Sequence, residues 1–296
     1  MTKKPSISVL VANFDWDVTD LVTTLHRQLT ESSIPFEIIC SDNAENSSVF
    51  EKNNLLNDLD NTSYQQELNF VGRSQNRNHM AHQAKHDWLL FLDADSAISN
   101  PKFIRTYLDE VDNAQVVCGG TAYGDKPNSK EGLLRWTYGK AREEISAEKR
   151  NKKPNLGFSS FNFMIYREAF EMVKFSSEFV KYGHEDTLLG QDLQRHGFIV
   201  KHINNPLVHL GLDEGEQFLA KSRDALQNLK QLLDGNALDE QSKLAALYNT
   251  IGRYGLKPVA KTAFKIFSKR WERNLLGDRP SMRVFDAYKL GYLSSL

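Results

Sequence analysis

Cysteine is scarce in this sequence, with two among 296 residues. Cys40 and Cys118 both fall in short apolar segments that predict buried strands, where a free thiol packs as a small hydrophobic side chain. We therefore expect no disulfide bond and a reducing, cytoplasmic environment.

Long apolar runs and an excess of one charge are also absent. The run from Ile7 to Phe14 ends at Asp15, well short of the roughly 18 to 20 residues that a membrane-spanning helix needs. We therefore expect neither a classical export signal nor a transmembrane segment. Lys and Arg number 37 against 38 Asp and Glu, a net charge of -1, so no overall field would attract nucleic acid. With 40% hydrophobic and 25% charged residues, the composition excludes disordered, collagen-like and coiled-coil proteins.

Short apolar segments alternate with amphipathic ones up to residue 211, a pattern typical of an α/β fold with a mostly parallel sheet between helices. The predicted strands are 7–11, 36–40, 88–92, 116–118, 161–166, 198–203 and 207–210. The charged stretch 123–155 predicts an excursion from the sheet that is helical around 133–145. After Gly211 the apolar spacing is helical throughout, which predicts an all-helical appendage over 212–296.

Asp93 and Asp95 directly follow a fully apolar predicted strand. Alternate residues leaving a strand point to the same side, so both carboxylates can face one divalent cation. A solvated turn is the alternative, since Asp is common there.

Further polar residues lie where ligands bind open α/β sheets, at the carboxyl ends of strands. Arg73 and Arg77, on or before a helix, could pair with a diphosphate or lie beside a uracil ring. Asp42 could accept a hydrogen bond from a base or a ribose. The alternatives are surface arginines and an Asx turn.

Glu185 and Asp186 begin another predicted helix, after Gly183. The helix dipole keeps a carboxylate at this position ionised, which suits a general base. An ordinary helix N-terminus with acidic residues in its first turn is the alternative.

In this order, these segments resemble the family 2 glycosyltransferases, whose fold is called GT-A. The resemblance covers roughly residues 5 to 211. The matching segments are Ser6 to Asn13, Asp42-Asn43, Arg77-Asn78, Trp88 to Asp95, Phe161 to Arg167 and Tyr182 to Asp186.

The resemblance implies a catalytic domain over 1–211, with a nucleotide-sugar half (about 1–120) and an acceptor half (about 121–211). It implies Mn²⁺ or Mg²⁺ held by Asp93, Asp95 and His209, although His209 could equally be a hydrogen-bonded core residue. Asp186, paired with Glu185, would be the base of an inverting transfer. The donor would be a nucleotide-diphosphate sugar, with a UDP-sugar as the first expectation, and the acceptor a glycan or a lipid-linked glycan.

Asn13 and Asp42 would lie at the base and ribose end of the donor site, where the chain departs from the usual family pattern. A sugar nucleotidyltransferase would need a glycine-rich phosphate loop after the first strand, but residues 12–17 contain no glycine and are acidic. A silent protein that binds nucleotide sugars stays open as an alternative.

Two features outside this pattern are left with two interpretations each. Tyr123, Trp136 and Tyr138 could stack on an acceptor sugar, with Arg135, Lys140 and Arg142 nearby for anionic groups, or these aromatics could form the core of the excursion. Residues 256–296 carry nine Lys and Arg against three acids, a net charge of +6. An apolar helical face lies there opposite a row of lysines, which predicts either peripheral contact with an anionic membrane or docking on the catalytic domain. The apolar face comprises Val259, Ala260, Ala263, Phe264, Phe267 and Trp271, and the lysines are Lys261, Lys265 and Lys269.

Overall fold

The computed structural model describes residues 4–67, 72–176, 183–235, 237–238 and 242–296. Ten strands lie in these ranges: β1 Ile7–Asn13, β2 Phe36–Asp42, β3 Thr62–Gln66, β4 Trp88–Asp93, β5 Ser96–Ala97, β6 Val116–Cys118, β7 Thr121–Tyr123, β8 Asn162–Tyr166, β9 Val200–His202 and β10 Leu207–His209. Twelve α-helices lie there as well: α1 Thr19–Ser32, α2 Phe50–Asn54, α3 Arg73–Gln83, α4 Phe103–Leu108, α5 Leu133–Arg142, α6 Ala147–Arg150, α7 Arg167–Val173, α8 Glu185–Arg195, α9 Gly215–Asp234, α10 Lys243–Arg253, α11 Lys257–Leu275 and α12 Met282–Ser295.

Seven strands form the main sheet in the order β3-β2-β1-β4-β8-β6-β9. The first four run parallel to one another, β8 is antiparallel to both of its neighbours, and β9 is parallel to β6. A small second sheet has the order β5-β10-β7. The predicted α/β class and mostly parallel sheet are confirmed.

Each face of the main sheet carries its own core, because successive side chains of a strand point to opposite faces. In β1, Val9 and Val11 join a cluster with the apolar side of α1, whereas Leu10 joins a second cluster with α3 and α8. Both clusters are formed by buried side chains. The result is a sheet covered on both faces, with the carboxyl ends of β1, β2 and β4 at one edge.

Strand β3 is the element that the apolar pattern did not predict. Its sequence is Thr-Ser-Tyr-Gln-Gln, and of these residues only Tyr64 is buried. As the edge strand, β3 has a neighbour on one side only and keeps polar side chains. Sequence periodicity therefore misses it.

The predicted helical appendage consists of α9 to α12. Its core includes Phe218, Leu275 and Phe285, and Leu134 of α5 belongs to the same cluster. The appendage thus packs on the excursion helix, and the boundary at residue 211 stays a prediction. No helix in the described ranges is both long enough and apolar enough to cross a membrane.

The predicted apolar face of α11 is divided between two environments. Phe264 and Trp271 pack with the α12 core, and Phe264 contacts Gly291 so closely that a side chain at Gly291 would collide with it. Val259 and Phe267 lie on the outside and are exposed. The predicted face is too wide for one neighbouring helix to cover, so α12 covers one side of it.

Candidate active site

A cleft of about 830 Å³ opens at the carboxyl edge of β1 and β4. Its walls bring together side chains from distant parts of the chain. Eight of the residues singled out from the sequence line it: Asn13, Arg73, Arg77, Asp93, Asp95, Glu185, Asp186 and His209. Tyr182, which belongs to one of the matching segments, lies outside the described residues.

Asp42 lies beneath the cleft rather than in its wall, and it is fully buried. The paired register of β1 and β2 sets it beside Asn13. Its carboxylate accepts five hydrogen bonds, from Asn13 Nδ2 (3.1 Å), Asp15 N (3.0 Å), Ala44 N (3.2 Å), Ser47 Oγ (2.8 Å) and Tyr64 Oη (2.7 Å). Asp42 therefore holds the loops after β1 and β2 in place.

Those loops present other side chains to the cleft. Phe14 is 63% exposed at the cleft wall, and Asn43 lies beside the same space. An aromatic ring held in the open at a cleft wall offers a flat surface on which a planar ring can stack. The only signal for this role in the sequence is the aromatic character of Phe14, which by itself does not separate a stacking surface from a core residue.

Arg77 is a buried cation at the centre of the site. Its Nη2 donates to Asp93 Oδ1 at 2.5 Å, and its Nη1 has no hydrogen-bond partner among the described residues. Burial works against its charged form, but Asp93, Asp186 and Glu185 together leave the pKa of Arg77 above its usual value. The positive charge of Arg77 thus interacts with both acidic motifs, which lie about 90 residues apart in the sequence.

Asp95 and His209 approach each other through the small sheet. Ser96 pairs with His209 across β5 and β10, which sets Asp95 Oδ2 3.7 Å from His209 Nε2. A side chain at Gly211 would collide with the Asp95 carboxylate, so a larger residue there would force that carboxylate to shift. Burial and the neighbouring charge of Asp93 raise the pKa of Asp95 to about 6.

The His209 ring is held between the rings of Tyr123 and Phe161, stacked at 5.4 and 5.1 Å between centroids. Burial, together with the positive charge of Arg135, lowers the pKa of His209 to about 4. The imidazole is therefore neutral at physiological pH, the form that can bind a metal through a lone pair. Arg135 Nη2 lies 3.3 Å from His209 Nε2.

These donors fit a divalent cation that takes most of its ligands from elsewhere. Two atoms 3.7 Å apart can both reach an ion at the roughly 2.1 Å typical of Mg²⁺ or a transition metal. The ion would take the place of Arg135 Nη2 at the Nε2 lone pair of His209. In the described ranges, no three His, Cys, Asp or Glu side chains converge as a metal site, and Asp93 is engaged with Arg77. A cation at Asp95 and His209 would need phosphate oxygens and water to complete its coordination.

Asp186 and Glu185 begin α8, as predicted. Gly183 and His184 precede them with φ of 106° and 74°, a left-handed turn that is strained for His184. Asp186 is deeply placed: burial first, and then the charge of Glu185, raise its pKa to about 6. Its Oδ1 has no hydrogen-bond partner among the described residues. A carboxylate of this kind can take a proton from a bound hydroxyl.

Helix α9 supports this turn from behind. Asn228 Nδ2 donates to the Gly183 carbonyl at 3.3 Å, and a Cβ at Gly183 would lie 2.7 Å from that of Ala225. Asn228 is 3% exposed. The appended helices therefore contact the turn that leads into the acidic motif.

Arg135, which the sequence offered only as a cation for anionic groups of an acceptor, lies in the cleft wall. It is buried, pairs with Glu143 at 3.0 Å and lines the cleft. Arg135 is the third residue of the amphipathic helix α5, and the sequence pattern there does not distinguish a buried arginine from a surface one.

The aromatic residues of the excursion do not line the cleft. Tyr138 packs against Phe218 and Phe285, and Tyr123 is buried with its hydroxyl donating to Glu143. Trp136 Nε1 donates to the Gly124 carbonyl at 2.9 Å. The contacts of Tyr123 and Tyr138 favour the core interpretation over sugar stacking.

Structural comparison shows the same fold in known glycosyltransferases. A mannosyltransferase from Pyrobaculum calidifontis in complex with GDP-Man and Mn²⁺ matches with a TM-score of 0.56 and 14% identity, over 99% of this chain and 86% of the other. S. aureus TarS 1–349 in complex with UDP-GlcNAc matches with a TM-score of 0.51 and 14% identity, over 98% and 90%. The same fragment in complex with UDP matches at 0.51 and 17% identity, over 75% of this chain and 64% of its own length.

Sequence comparison adds the family. No curated protein sequence matches this chain significantly. The sequence model of glycosyl transferase family 2 matches residues 9–173, which is more than half of the chain and includes the carboxyl ends of β1, β2 and β4. The sequence-based resemblance is therefore confirmed: with its GT-A fold, this chain belongs to glycosyl transferase family 2.

Proposed function

We propose that this chain is an inverting glycosyltransferase that moves a sugar from a nucleotide-diphosphate sugar to an acceptor hydroxyl. The observation that carries the proposal is Asp186, a buried carboxylate with one oxygen that has no partner in the described ranges and a pKa raised to about 6. It lines the same cleft as Asp95 and His209.

In this mechanism the donor base stacks on Phe14, and its polar edge faces Asn13 and Asn43. The diphosphate lies toward Asp95 and Arg73, both in the cleft wall. Mn²⁺ or Mg²⁺ held by Asp95 and His209 would supply positive charge to the diphosphate as it leaves. Arg77 holds the Asp93 carboxylate in position through their hydrogen bond.

Asp186 accepts the proton of the acceptor hydroxyl as its oxygen bonds to the anomeric carbon. The bond from that carbon to the diphosphate oxygen breaks, and the nucleotide leaves with the electron pair. Attack from the face opposite the leaving group inverts the anomeric configuration. Because Asp186 becomes neutral and the diphosphate gains charge, the positive groups near Asp95 stabilise the transition state.

A UDP-sugar is the first donor to test, although one solved relative binds GDP-Man. The acceptor, a glycan or a lipid-linked glycan in the cytoplasm, stays a prediction.

A panel of UDP- and GDP-sugars, each with and without Mn²⁺, tests the proposal through protection against thermal unfolding. A ligand that binds only the folded state raises the melting temperature as its concentration exceeds Kd. We expect protection by one nucleotide class that is strengthened by Mn²⁺. Asp95→Asn should abolish the Mn²⁺ effect, whereas Asp112→Asn, an exposed aspartate in a turn, should retain it.

The reaction itself is followed by transfer to water or to an acceptor, with the anomeric configuration of the product determined by NMR. Inverted product supports the mechanism, and retained configuration would overturn it. Protection by a donor without any turnover would favour the silent binding protein. Full activity in excess chelator would remove the metal from the mechanism.

A further inference from the structure

The outward side of α11 carries exposed apolar side chains. We call this surface the α11 outer face, and it consists of Leu256, Val259, Ile266 and Phe267 with Lys261, Lys265, Lys269, Arg270 and Arg273. All nine residues are exposed. Val259 and Ile266 are 63% and 65% exposed, and their spacing of two turns aligns them on one side of the helix.

Intramolecular packing does not account for this surface. Docking uses the other side of α11, where Phe264, Trp271 and Leu275 join the core with α12. The orientation of α11 is fixed by that core, so Val259 and Ile266 are held outward. Exposure of these apolar side chains to water does not stabilise the fold.

The cations of the α11 outer face are not neutralised within the described part of the chain. The three acids of residues 256–296 have other partners: Glu272 accepts from Tyr288 at 2.9 Å, Asp278 pairs with Lys130 at 3.2 Å, and Asp286 pairs with Arg142 at 2.6 Å. No ion pair in the described ranges involves Lys261, Lys265, Lys269, Arg270 or Arg273. The surface therefore keeps a local positive charge although the whole chain is nearly neutral.

We propose that the α11 outer face binds the surface of a lipid bilayer that contains anionic headgroups. Val259, Ile266 and Phe267 enter the boundary between headgroups and acyl chains, and the lysines and arginines pair with lipid phosphates. The positive charge of this face favours an anionic surface. Its aliphatic side chains favour a bilayer over a nucleic acid, because nucleic acids are bound by cations and by aromatic rings that stack on bases. The sugar transfer would then take place beside the membrane.

Lipid binding does not depend on the proposed chemistry, so the two proposals can fail separately. The full chain is floated with vesicles of phosphatidylcholine alone, or of phosphatidylcholine mixed with phosphatidylglycerol, at low and at high salt. We expect binding to the anionic vesicles only, and weaker binding as salt screens the charges. No flotation with anionic vesicles at low salt would overturn the proposal.

Two sets of substitutions locate the surface. Lys265→Gln, Lys269→Gln and Arg273→Gln together should weaken vesicle binding about 100-fold, since each cation near an anionic surface contributes about fivefold. The matched control removes three other exposed lysines, Lys102→Gln, Lys149→Gln and Lys152→Gln, and should bind like the unchanged protein. An equal loss in the control would show a nonspecific charge effect and overturn the assignment.

Val259→Ser with Ile266→Ser tests the apolar part while every charge is retained. We expect at least about tenfold weaker vesicle binding, because two exposed aliphatic side chains would otherwise leave water. Both positions are on the surface, so the melting temperature should stay unchanged. Unaltered vesicle binding, together with binding to single-stranded DNA, would identify a general polyanion surface and overturn the lipid assignment.

Discussion

The two ends of the cleft differ in how far their buried carboxylates are hydrogen-bonded. At the β1–β2 end, Asp42 is buried and accepts five hydrogen bonds. At the β4–α8 end, Asp95 lies beside another carboxylate and Asp186 has an oxygen without a partner in the described ranges. A satisfied buried network makes its surroundings rigid, whereas an unsatisfied buried group costs stability and indicates a role toward a ligand. The comparison therefore separates a carboxylate that holds loops together from carboxylates that could act on a ligand.

Replacing Asp186 should give the largest effect. Asp186→Asn keeps the size of the side chain but cannot accept the proton, so kcat should fall at least ~100-fold while donor binding is retained. Steady-state kinetics and donor titration measure the two quantities separately. The control is Asp192→Asn on the same helix, which pairs with Arg195 at the surface and should keep full turnover. Near-normal turnover in Asp186→Asn would move the base to Glu185 or remove this mechanism.

Replacing Asp42 should instead reduce stability. Asp42→Asn turns part of an acceptor group into a donor that faces other donors, so we expect the free energy of unfolding to fall by about 2 to 3 kcal/mol. Urea denaturation measures it, with Asp112→Asn as the exposed control. A stable Asp42→Asn protein that has lost donor binding would show that Asp42 contacts the nucleotide, and the contrast between the two ends would fail.

The pH dependence of kcat tests the protonation state of Asp186. Because burial raises the pKa of Asp186 to about 6, the carboxyl is protonated and cannot act as a base below that pH. We therefore expect kcat, measured with saturating donor and Mn²⁺, to be constant above about pH 7 and to fall roughly tenfold per pH unit well below 6. A flat profile down to pH 5 would contradict the assignment of Asp186 as base.

Asn228 should show the smallest effect. Asn228→Ala removes its hydrogen bond to the Gly183 carbonyl, which loosens the turn before Asp186. We expect kcat to fall about fivefold, in line with a hydrogen bond contribution of about 1 kcal/mol, with donor KM unchanged. Gln231→Ala, on the exposed side of the same helix, is the control. Equal changes in kcat for both variants would mean that α9 does not position the acidic motif.

Much of the site could be predicted because parallel strands bring their carboxyl ends to one edge. Apolar runs identified β1, β2 and β4, so Asn13, Asp42 and Asp93 could be placed near one another from the sequence alone. The same reasoning could not show that Asp42 lies under the cleft, because four of its five donors come from loops and from β3, an edge strand without apolar periodicity. The burial of Arg135 could not be predicted for a similar reason, since its partners His209 and Glu143 meet it only in the folded chain.

By itself, the sequence determined the alternation of strands and helices, the positions of the acidic motifs and the family to which the chain belongs, because periodicity and motif spacing are local properties. The tertiary structure alone decided which carboxylates are satisfied, where α9 contacts the Gly183 turn, and which side of α11 faces solvent. Those outcomes depend on groups distant in sequence that compete for the same contacts, and local patterns carry no information on which group is near enough to make them.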